Sequence, residues 1–493
     1  MTKATTKTIT SRRALALALA LLALGAARQA GAWDAATTQA GLTERALLVS
    51  SFHRVIARRL SRPLGAFELL QLHSRLLAPE ERYLLWNRIG ALDPGEGYRP
   101  SSEGAATALA WVTAGAVLAE IPPERARNHF FDPRDGSGLH DDPGLAGAGH
   151  ALRLALDAGG SIRGLATGTT FDLTGKASLH WVLAPGNDQG LAVFHDQLVA
   201  AVAGAEPAQR ESALVRSLLA LGGILAALED AGEPAHVRND FRRAFLDKQS
   251  ASGWDRASTF ERYVAVRYGR VGVPAAAAPV RRPTLESYFA AADGGGLADR
   301  TQRRFFSPGT LPADVVLDAE MTTRQVLDDV AASLEYPLPA VDKLELRHQG
   351  RRYVTAEGRR ILGYERVADH LHFFVDEAVH ADAARALLPE VGAFAAGLCD
   401  HLLRGGFSFA AEGRRVRATL EGVQGAAEGP VQFFVEDAAG RRRPLAAPVP
   451  SGPLAAGTVL TVDVPEGTHL VAAVLRGKDG AGTLVAFGEL VLR

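Results

Sequence analysis

Residues 221–241 (LGGILAALEDAGEPAHVRNDF) hold carboxylate and imidazole side chains at spacings that suit divalent cations. Asp230 and His236 are six residues apart, and Asp240 follows four residues later. Residues four apart share one face of a helix, so a histidine at position 226 would complete a His-x3-Asp ligand pair. The chain has Ala226 there. The segment therefore favours a metal-dependent hydrolytic site that has lost a nitrogen ligand.

The chemistry of such a site would be activation of water by zinc. A catalytic zinc ion takes three protein ligands and keeps a position open for water. Two or three clustered zinc ions can also neutralise a phosphodiester during its hydrolysis. Simpler interpretations remain open. His236 and Asp240 could pair on a helix surface, His129 could be a hydrogen-bonded core histidine, and Glu261 could be a solvated helix residue.

The N-terminus predicts an exported protein. Basic residues are followed by the apolar run 14–24 (ALALALALLAL), which is too short to span a bilayer stably, and then by Ala30-Gly31-Ala32 as a cleavage motif. We expect residues 1–32 to be a signal peptide and the protein to be secreted or held in the periplasm or cell envelope. A short membrane anchor is the alternative. No later stretch is expected to be long and apolar enough for a transmembrane helix.

Charge makes nucleic acid an unlikely partner. The chain has 54 basic and 55 acidic side chains, and residues 1–32 hold five of the basic ones and none of the acidic ones. The mature chain would carry 49 basic and 55 acidic residues, a balance of −6. A mildly acidic protein has no overall positive field to attract phosphate backbones.

Apolar periodicity predicts a mainly α protein with a C-terminal β-sandwich. We expect a helical domain at 33–405, with an insertion near 341–366 that contains a strand pair, and a sandwich domain at 407–493. The principal predicted helices are 42–60, 65–76, 79–89, 103–120, 191–203, 207–230, 236–246, 258–266, 285–292, 322–334 and 375–403. The predicted strands of the sandwich are 416–420, 431–436, 459–464, 469–475 and 483–492.

The order of these motifs resembles the zinc-dependent phospholipase C family, which shares its fold with the single-strand-specific fungal nucleases. That family has a multi-helix fold and a three-zinc cluster. One of its ligands is a mature N-terminal tryptophan, and cleavage after Ala32 would leave Trp33 as that residue. Asp230 matches the family's bridging aspartate, and His236 matches the histidine six residues later.

Three further residues extend the resemblance. His129, in RNHFFDP, resembles the upstream zinc histidine, and Glu261, in TFERY, matches the last carboxylate ligand. Glu120, before the proline pair 122–123, is the nearest candidate for the acidic general base. The resemblance therefore implies Trp33, His129, Asp230, His236 and Glu261 as metal ligands, zinc as cofactor, and phospholipid as substrate.

The chain also departs from the family pattern at three positions. Gln39, Ala226 and Ala257 stand where the family has zinc-binding histidines. Alanine cannot bind a metal, and a neutral amide is a poor zinc ligand. Each zinc would therefore lose one imidazole, and we expect zinc to bind at reduced occupancy or not at all.

Other candidates for chemistry are weaker. His370 and His372 could share one face of a strand, and His380 follows, but we expect no separate metal site there. Arg441–Arg443 is expected to be a solvated turn. Cys399, the only cysteine, is expected to be a buried small apolar residue.

Two functions of different classes follow from the sequence. The first is an exported phospholipase C-like hydrolase of phosphodiesters, acting on phospholipid with an eroded zinc site and weak or lost activity. The second is a non-catalytic protein on the same scaffold that binds an envelope component or a partner. A third hypothesis keeps one metal site with altered chemistry at His129, Asp230 and His236.

Overall fold

The computed structural model describes residues 33–121, 123–139, 175–240, 260–318, 320–346, 349–447 and 452–492. The predicted signal peptide and Ala257 lie outside these residues. The described part is mainly α with a C-terminal β region, as predicted. Its helices are α1 Ala40–Val49, α2 Phe52–Arg59, α3 Pro79–Gly90, α4 Ala108–Leu118, α5 Ser178–Leu183, α6 Leu191–Ala203, α7 Pro207–Glu229, α8 Pro234–Val237, α9 Phe260–Tyr268, α10 Glu286–Phe289, α11 Leu297–Arg304, α12 Thr323–Ser333 and α13 Glu377–Leu402.

Helix α7 is the central element of the core. It begins with Pro207 in its first turn and a capping box between Glu206 and Gln209, which satisfies amide groups that a helix start leaves without partners. It packs against α4, α6 and α13. The expectation that no later stretch suits a membrane span is wrong by length and composition. Pro207–Gly232 has 26 residues, and its most apolar 18-residue window has mean hydropathy 1.6, but 89% of that window is buried inside the fold.

Two glycines let α4 and α7 cross in close contact. A Cβ on Gly115 would lie 2.2 Å from the carbonyl oxygen of Leu219, and one on Gly222 would lie 2.0 Å from that of Val112. No larger residue fits at either position without moving a backbone. The crossing fixes the end of α4, where Glu120 follows, relative to α7.

Three predicted helices differ from the observed ones. Within the described residues, the helix expected at 236–246 does not continue past Val237, and Asn239 has φ +50°. The helix expected at 42–60 is divided into α1 and α2, with Ser50 and Ser51 between them. The helix expected at 65–76 is wrong, because 3-10 turns at Gly65–Phe67 and Ser74–Leu76 flank a short strand there. Gly65 has φ +56°, a conformation that an L side chain rarely adopts and that an α-helix does not contain.

Within the described ranges the strands form four sheets. A two-stranded sheet pairs β1 and β2, and a four-stranded sheet has the order β3-β6-β5-β4. The C-terminal region has one seven-stranded sheet, in the order β11-β10-β14-β15-β7-β8-β13, and a small β12-β9 sheet. The strands are β1 Leu69–Gln71, β2 Ala105–Thr107, β3 Val315–Val316, β4 Gly350–Ala356, β5 Arg359–Val367, β6 His370–Phe374, β7 Gly406–Glu412, β8 Arg415–Glu421, β9 Ala426–Ala427, β10 Val431–Glu436, β11 Arg442–Leu445, β12 Leu454–Ala455, β13 Val459–Asp463, β14 Leu470–Asp479 and β15 Gly482–Val491.

The seven-stranded sheet has an apolar core on both of its faces. Along β14, Leu470 and Val474 belong to the same core as the helices. The alternating residues Val471 and Leu475 belong to a second core within the C-terminal region. Side chains of a strand alternate between the two faces, so one face of the sheet is buried against the helical region.

A charged cluster lies where the sheet meets the helices. The Arg442 guanidinium donates to Glu436 Oε2 at 2.7 Å and to Glu489 Oε1 at 2.9 Å, and its Nη1 also donates to the carbonyl of Val202 in α6. Arg210 of α7 lies 2.9 Å from the same Glu436 oxygen. Arg442 is therefore a buried residue of β11, and the expected solvated turn at 441–443 is wrong at this position.

Candidate metal centre

The C-terminal end of α7 places two carboxyl groups in the core. Glu229 is the last residue of the helix and Asp230 begins a 3-10 turn, and both are fully buried. The turn ends at Gly232, where a Cβ would lie 2.1 Å from Val391 Cγ2 of α13. Glu233 then caps α8 by accepting from the His236 amide at 3.0 Å. Close packing by α13 and the cap fix the direction in which the chain leaves α7.

Three ligand types converge beside this turn. His129 Nδ1 lies 3.1 Å from Glu120 Oε1 and is also in contact with Asp230 Oδ2. The ligand atoms of Glu120, His129 and Asp230 all lie within 4.8 Å of one another, and all three residues are buried. Two carboxylates therefore approach the same ring nitrogen. That nitrogen carries at most one proton, whereas a cation shared by the three atoms would balance both negative charges.

His236 lies next to this group and supports it. Its Nδ1 is 3.2 Å from the backbone carbonyl of His129, and its own carbonyl accepts from the Phe131 amide at 3.2 Å. Its ring stacks on Phe130, with centroids 4.3 Å apart. A carbonyl only accepts, so Nδ1 of His236 carries the proton. The structure thus places His236 beside His129 as a partner of its backbone, with ring centroids 6.5 Å apart.

The interpretation of His236 and Asp240 as a helix surface pair is wrong. Helix α8 ends at Val237, and both residues are buried. The Asp240 carboxylate accepts from the backbone amide of Gly309 at 2.6 Å.

On the other side of Asp230, Glu229 organises a second buried cluster. The side-chain amide of Gln39 donates to Glu229 Oε2, and the hydroxyl of Thr43 lies 3.0 Å from the same oxygen. The Trp33 indole donates to the Glu229 carbonyl at 3.0 Å. Trp33, Gln39, Thr43 and Glu229 are each fully buried. The N-terminal residues of the described chain therefore bind to the end of α7 through Glu229.

Burial raises the pKa of the Glu229 carboxyl well above its ordinary value. The negative Asp230 next to it raises that pKa further, while the hydrogen bond from Thr43 acts in the opposite direction. Sequence reasoning missed Glu229. Its signal was the acidic pair Glu229-Asp230 at the end of an apolar helix, where only one carboxylate was expected to point into the site.

The remaining candidate residues lie on other elements of the fold, except Ala226 of α7. Glu261 is buried at the start of α9, where Phe260 packs edge-on against Trp33 with ring centroids 5.6 Å apart. Ala226 is fully buried one turn before Asp230. His370 and His372 stack on β6 at 6.0 Å, whereas His380 packs near Phe260 in α9. Cys399 is buried as expected, and burial raises its thiol pKa to about 12.

The ligand atoms available in each group of side chains determine where a metal ion could bind. Glu120, His129 and Asp230 supply one nitrogen and two oxygens, which is the number of protein ligands that a catalytic zinc takes. The Glu229 cluster around Trp33 does not suit a cation in the same way, because the Gln39 amide and the Thr43 hydroxyl both donate to Glu229. Among the described residues, the geometry suits one cation at the first group.

Comparison with known proteins adds two distant structural neighbours. No family model and no curated protein matches the sequence. Among solved structures, alpha-toxin from an avian strain of Clostridium perfringens is 8% identical with TM-score 0.24, covering 93% of this chain and 99% of the toxin. Alpha-toxin from Clostridium absonum is 9% identical with TM-score 0.20, covering 78% of this chain and 88% of the toxin. These values carry no information on ligands or activity, so the case for a metal site depends on this chain's own contacts.

Proposed function

We propose that this chain is an exported phospholipase C-like protein that binds one divalent cation at Glu120, His129 and Asp230. Its substrate class is the phosphodiester of a phospholipid, and hydrolysis is far slower than a three-zinc centre would support. The proposal depends on one observation: two buried carboxylates approach the same nitrogen of His129. The one nitrogen and two oxygens of this group match the number and type of ligand atoms that a divalent cation takes.

The cation assigns different roles to the residues predicted from sequence. When bound, it would lower the pKa of a water molecule and polarise a phosphoryl oxygen. In this proposal Glu120 is a ligand instead of the general base, because its carboxylate meets the same imidazole nitrogen as Asp230 does. His236 orients His129 by donating from its Nδ1 to the backbone carbonyl of His129. Residues that hydrogen-bond to metal ligands hold those ligands in place in the same way. Trp33 takes part through its indole in the Glu229 cluster.

A non-catalytic protein that binds an envelope component or partner is the second candidate. It is supported by the Glu229 cluster, in which Gln39 and Thr43 form hydrogen bonds to the carboxyl group of Glu229, next to Asp230. In this proposal Gln39, Ala226 and Ala257 stand where the resembled family has zinc-binding histidines, so the imidazoles that a larger zinc cluster would need are missing. With no cation bound, the scaffold would offer no activated water.

Metal counting separates the two candidates. The mature chain is purified, incubated with zinc or manganese at neutral pH, and analysed by mass spectrometry for metal per chain. One cation per chain, lost in a His129→Ala variant, supports the proposal. Three cations per chain would overturn the single-site assignment, and none would favour the non-catalytic protein. Hydrolysis of a chromogenic phosphodiester that requires the cation and His129 would support a residual enzyme.

A further inference from the structure

A short segment between α2 and β1 exposes large apolar side chains. Leu64 is 60% exposed, Phe67 is 54% exposed and Leu69 is 64% exposed. Phe67 donates its amide to the Leu64 carbonyl in the 3-10 turn. Residues three apart are eclipsed in such a turn, so Leu64 and Phe67 project from the same side. Exposed apolar residues scattered singly need no explanation, but a contiguous set marks a binding surface.

The turn is held rigidly in this conformation. Gly65 has φ +56°, and a Cβ there would lie 2.6 Å from the carbonyl oxygen of His53. The Ala66 amide donates to His53 Nδ1 at 3.3 Å, and Ala66 itself is buried. The Leu64 amide donates to Glu68 Oε2 at 3.2 Å. These contacts fix the backbone so that the apolar side chains stay outside.

Positive charge lies beside these side chains. Residues 51–69 contain four arginines and one acidic residue, Glu68, which lies 3.9 Å from Arg62, although the mature chain is acidic overall. Arg54 and Arg58 are exposed and four residues apart on α2, so they share one face of that helix. The ring of Phe67 lies 6.1 Å from that of His53, next to Arg54. Apolar side chains next to arginines are the combination that binds the interface of an anionic membrane.

We propose that Leu64, Phe67 and Leu69, together with Arg54 and Arg58, form a surface that binds anionic phospholipid membranes. The apolar side chains enter the interfacial region, and the two guanidinium groups pair with lipid phosphates and carboxylates. This surface rests on the proposed function only in taking phospholipid as the partner class. It needs no metal, so it can fail while the cation site stands.

Vesicle sedimentation tests the surface directly. The mature chain is mixed, in the presence of EDTA, with vesicles of phosphatidylcholine alone or of phosphatidylcholine with phosphatidylserine. We expect binding to the vesicles with phosphatidylserine and a decrease of that binding as salt rises. Arg54→Ala with Arg58→Ala should weaken it by about twenty-fivefold, at about fivefold per arginine. Leu64→Ser with Phe67→Ser should weaken it by more than about tenfold.

Matched variants control for general effects of surface change. Val316→Ser with Val367→Ser removes two apolar side chains of similar exposure on the four-stranded sheet, and Arg324→Ala with Arg352→Ala removes two exposed arginines elsewhere. Both pairs should bind as the parent does. No binding by the parent, or equal binding by all variants, would overturn the proposal. Dimerisation of the parent in sedimentation velocity that the Leu64→Ser, Phe67→Ser variant abolishes would instead assign the surface to a second copy of the chain.

Discussion

The side-chain amide of Gln39 donates to the carboxyl group of Glu229, 190 residues further along the chain. Glu229 also accepts from Thr43, and Asp230, the next residue, faces His129. Two consecutive residues at the end of one helix thus serve two different clusters. In one cluster the Glu229 carboxyl accepts hydrogen bonds from Gln39 and Thr43, and in the other two acidic groups meet an imidazole.

The Glu229 cluster should contribute to stability without any metal. Glu229→Ala removes the acceptor of the Gln39 amide and the Thr43 hydroxyl and leaves a cavity, so the free energy of unfolding should fall by about 3 kcal/mol or more. Glu229→Gln retains an acceptor of the same shape and should cost less. Urea denaturation with EDTA present measures both, with the exposed Glu80→Ala as control. A loss for Glu229→Ala no larger than that of the control would contradict the cluster's role.

The two histidines of the site should respond differently to substitution. His129→Gln removes a proposed ligand, so cation affinity should fall by more than roughly a hundredfold. His236→Gln removes a group that positions His129, and such losses are typically about 10–100-fold. Calorimetric titration with zinc measures both, and circular dichroism confirms that each variant is folded. If His236→Gln abolishes binding while His129→Gln retains it, the assignment of the ligand is reversed.

Acid should destabilise the fold partly through His195 in α6. Burial, followed by the positive charges of Arg404 and Arg476, lowers the pKa of His195 to about 3 from 6.5. The unfolded chain therefore binds more protons between these values, and the free energy of unfolding falls as pH decreases below 6.5. His195→Gln should reduce the loss between pH 6.5 and about pH 4 by on the order of 3 kcal/mol. Denaturation at several pH values tests this, with the exposed His180→Gln as control.

The buried arginine at the sheet interface should be costly to remove. Arg442→Met removes the guanidinium that contacts Glu489 and leaves Glu436 with Arg210 alone, so the free energy of unfolding should fall by about 3–5 kcal/mol. Arg443→Met, one residue later and exposed, should change it by less than about 0.5 kcal/mol. Adding Glu436→Gln and Glu489→Gln to Arg442→Met should recover part of the loss. Equal effects of the two arginine variants would show that the network contributes nothing.

Helical periodicity and caps were sufficient to predict α7, α6 and α13 within a few residues, because each has a continuous apolar face. They were not sufficient at residues 65–76, where apolar spacing also suits a turn and a strand and the positive φ of Gly65 decides between them. Arg442 was assigned to a solvated turn because its buried partners Glu436 and Glu489 meet it only in the folded sheet.

The candidate site shows the same limit. The order of His129, Asp230 and His236 along the chain predicted their proximity, and the structure places them together. Which of two adjacent acids faces the imidazole depends on the packing of α7 against the N-terminal segment, and no local pattern reports it. Residue spacing also could not predict that Gln39 donates to Glu229 instead of binding a cation beside Asp230. This contact depends on the same packing of α7 against the N-terminal segment.

The position of Asp230 at the end of α7 has an electrostatic consequence. The peptide dipoles of this 23-residue helix add up along its axis, and they give its C-terminal end roughly half a negative charge. A cation at Glu120, His129 and Asp230 would meet this field in the low-dielectric interior of the protein, where little solvent screens it. The helix backbone therefore attracts positive charge to the site in addition to the carboxylates.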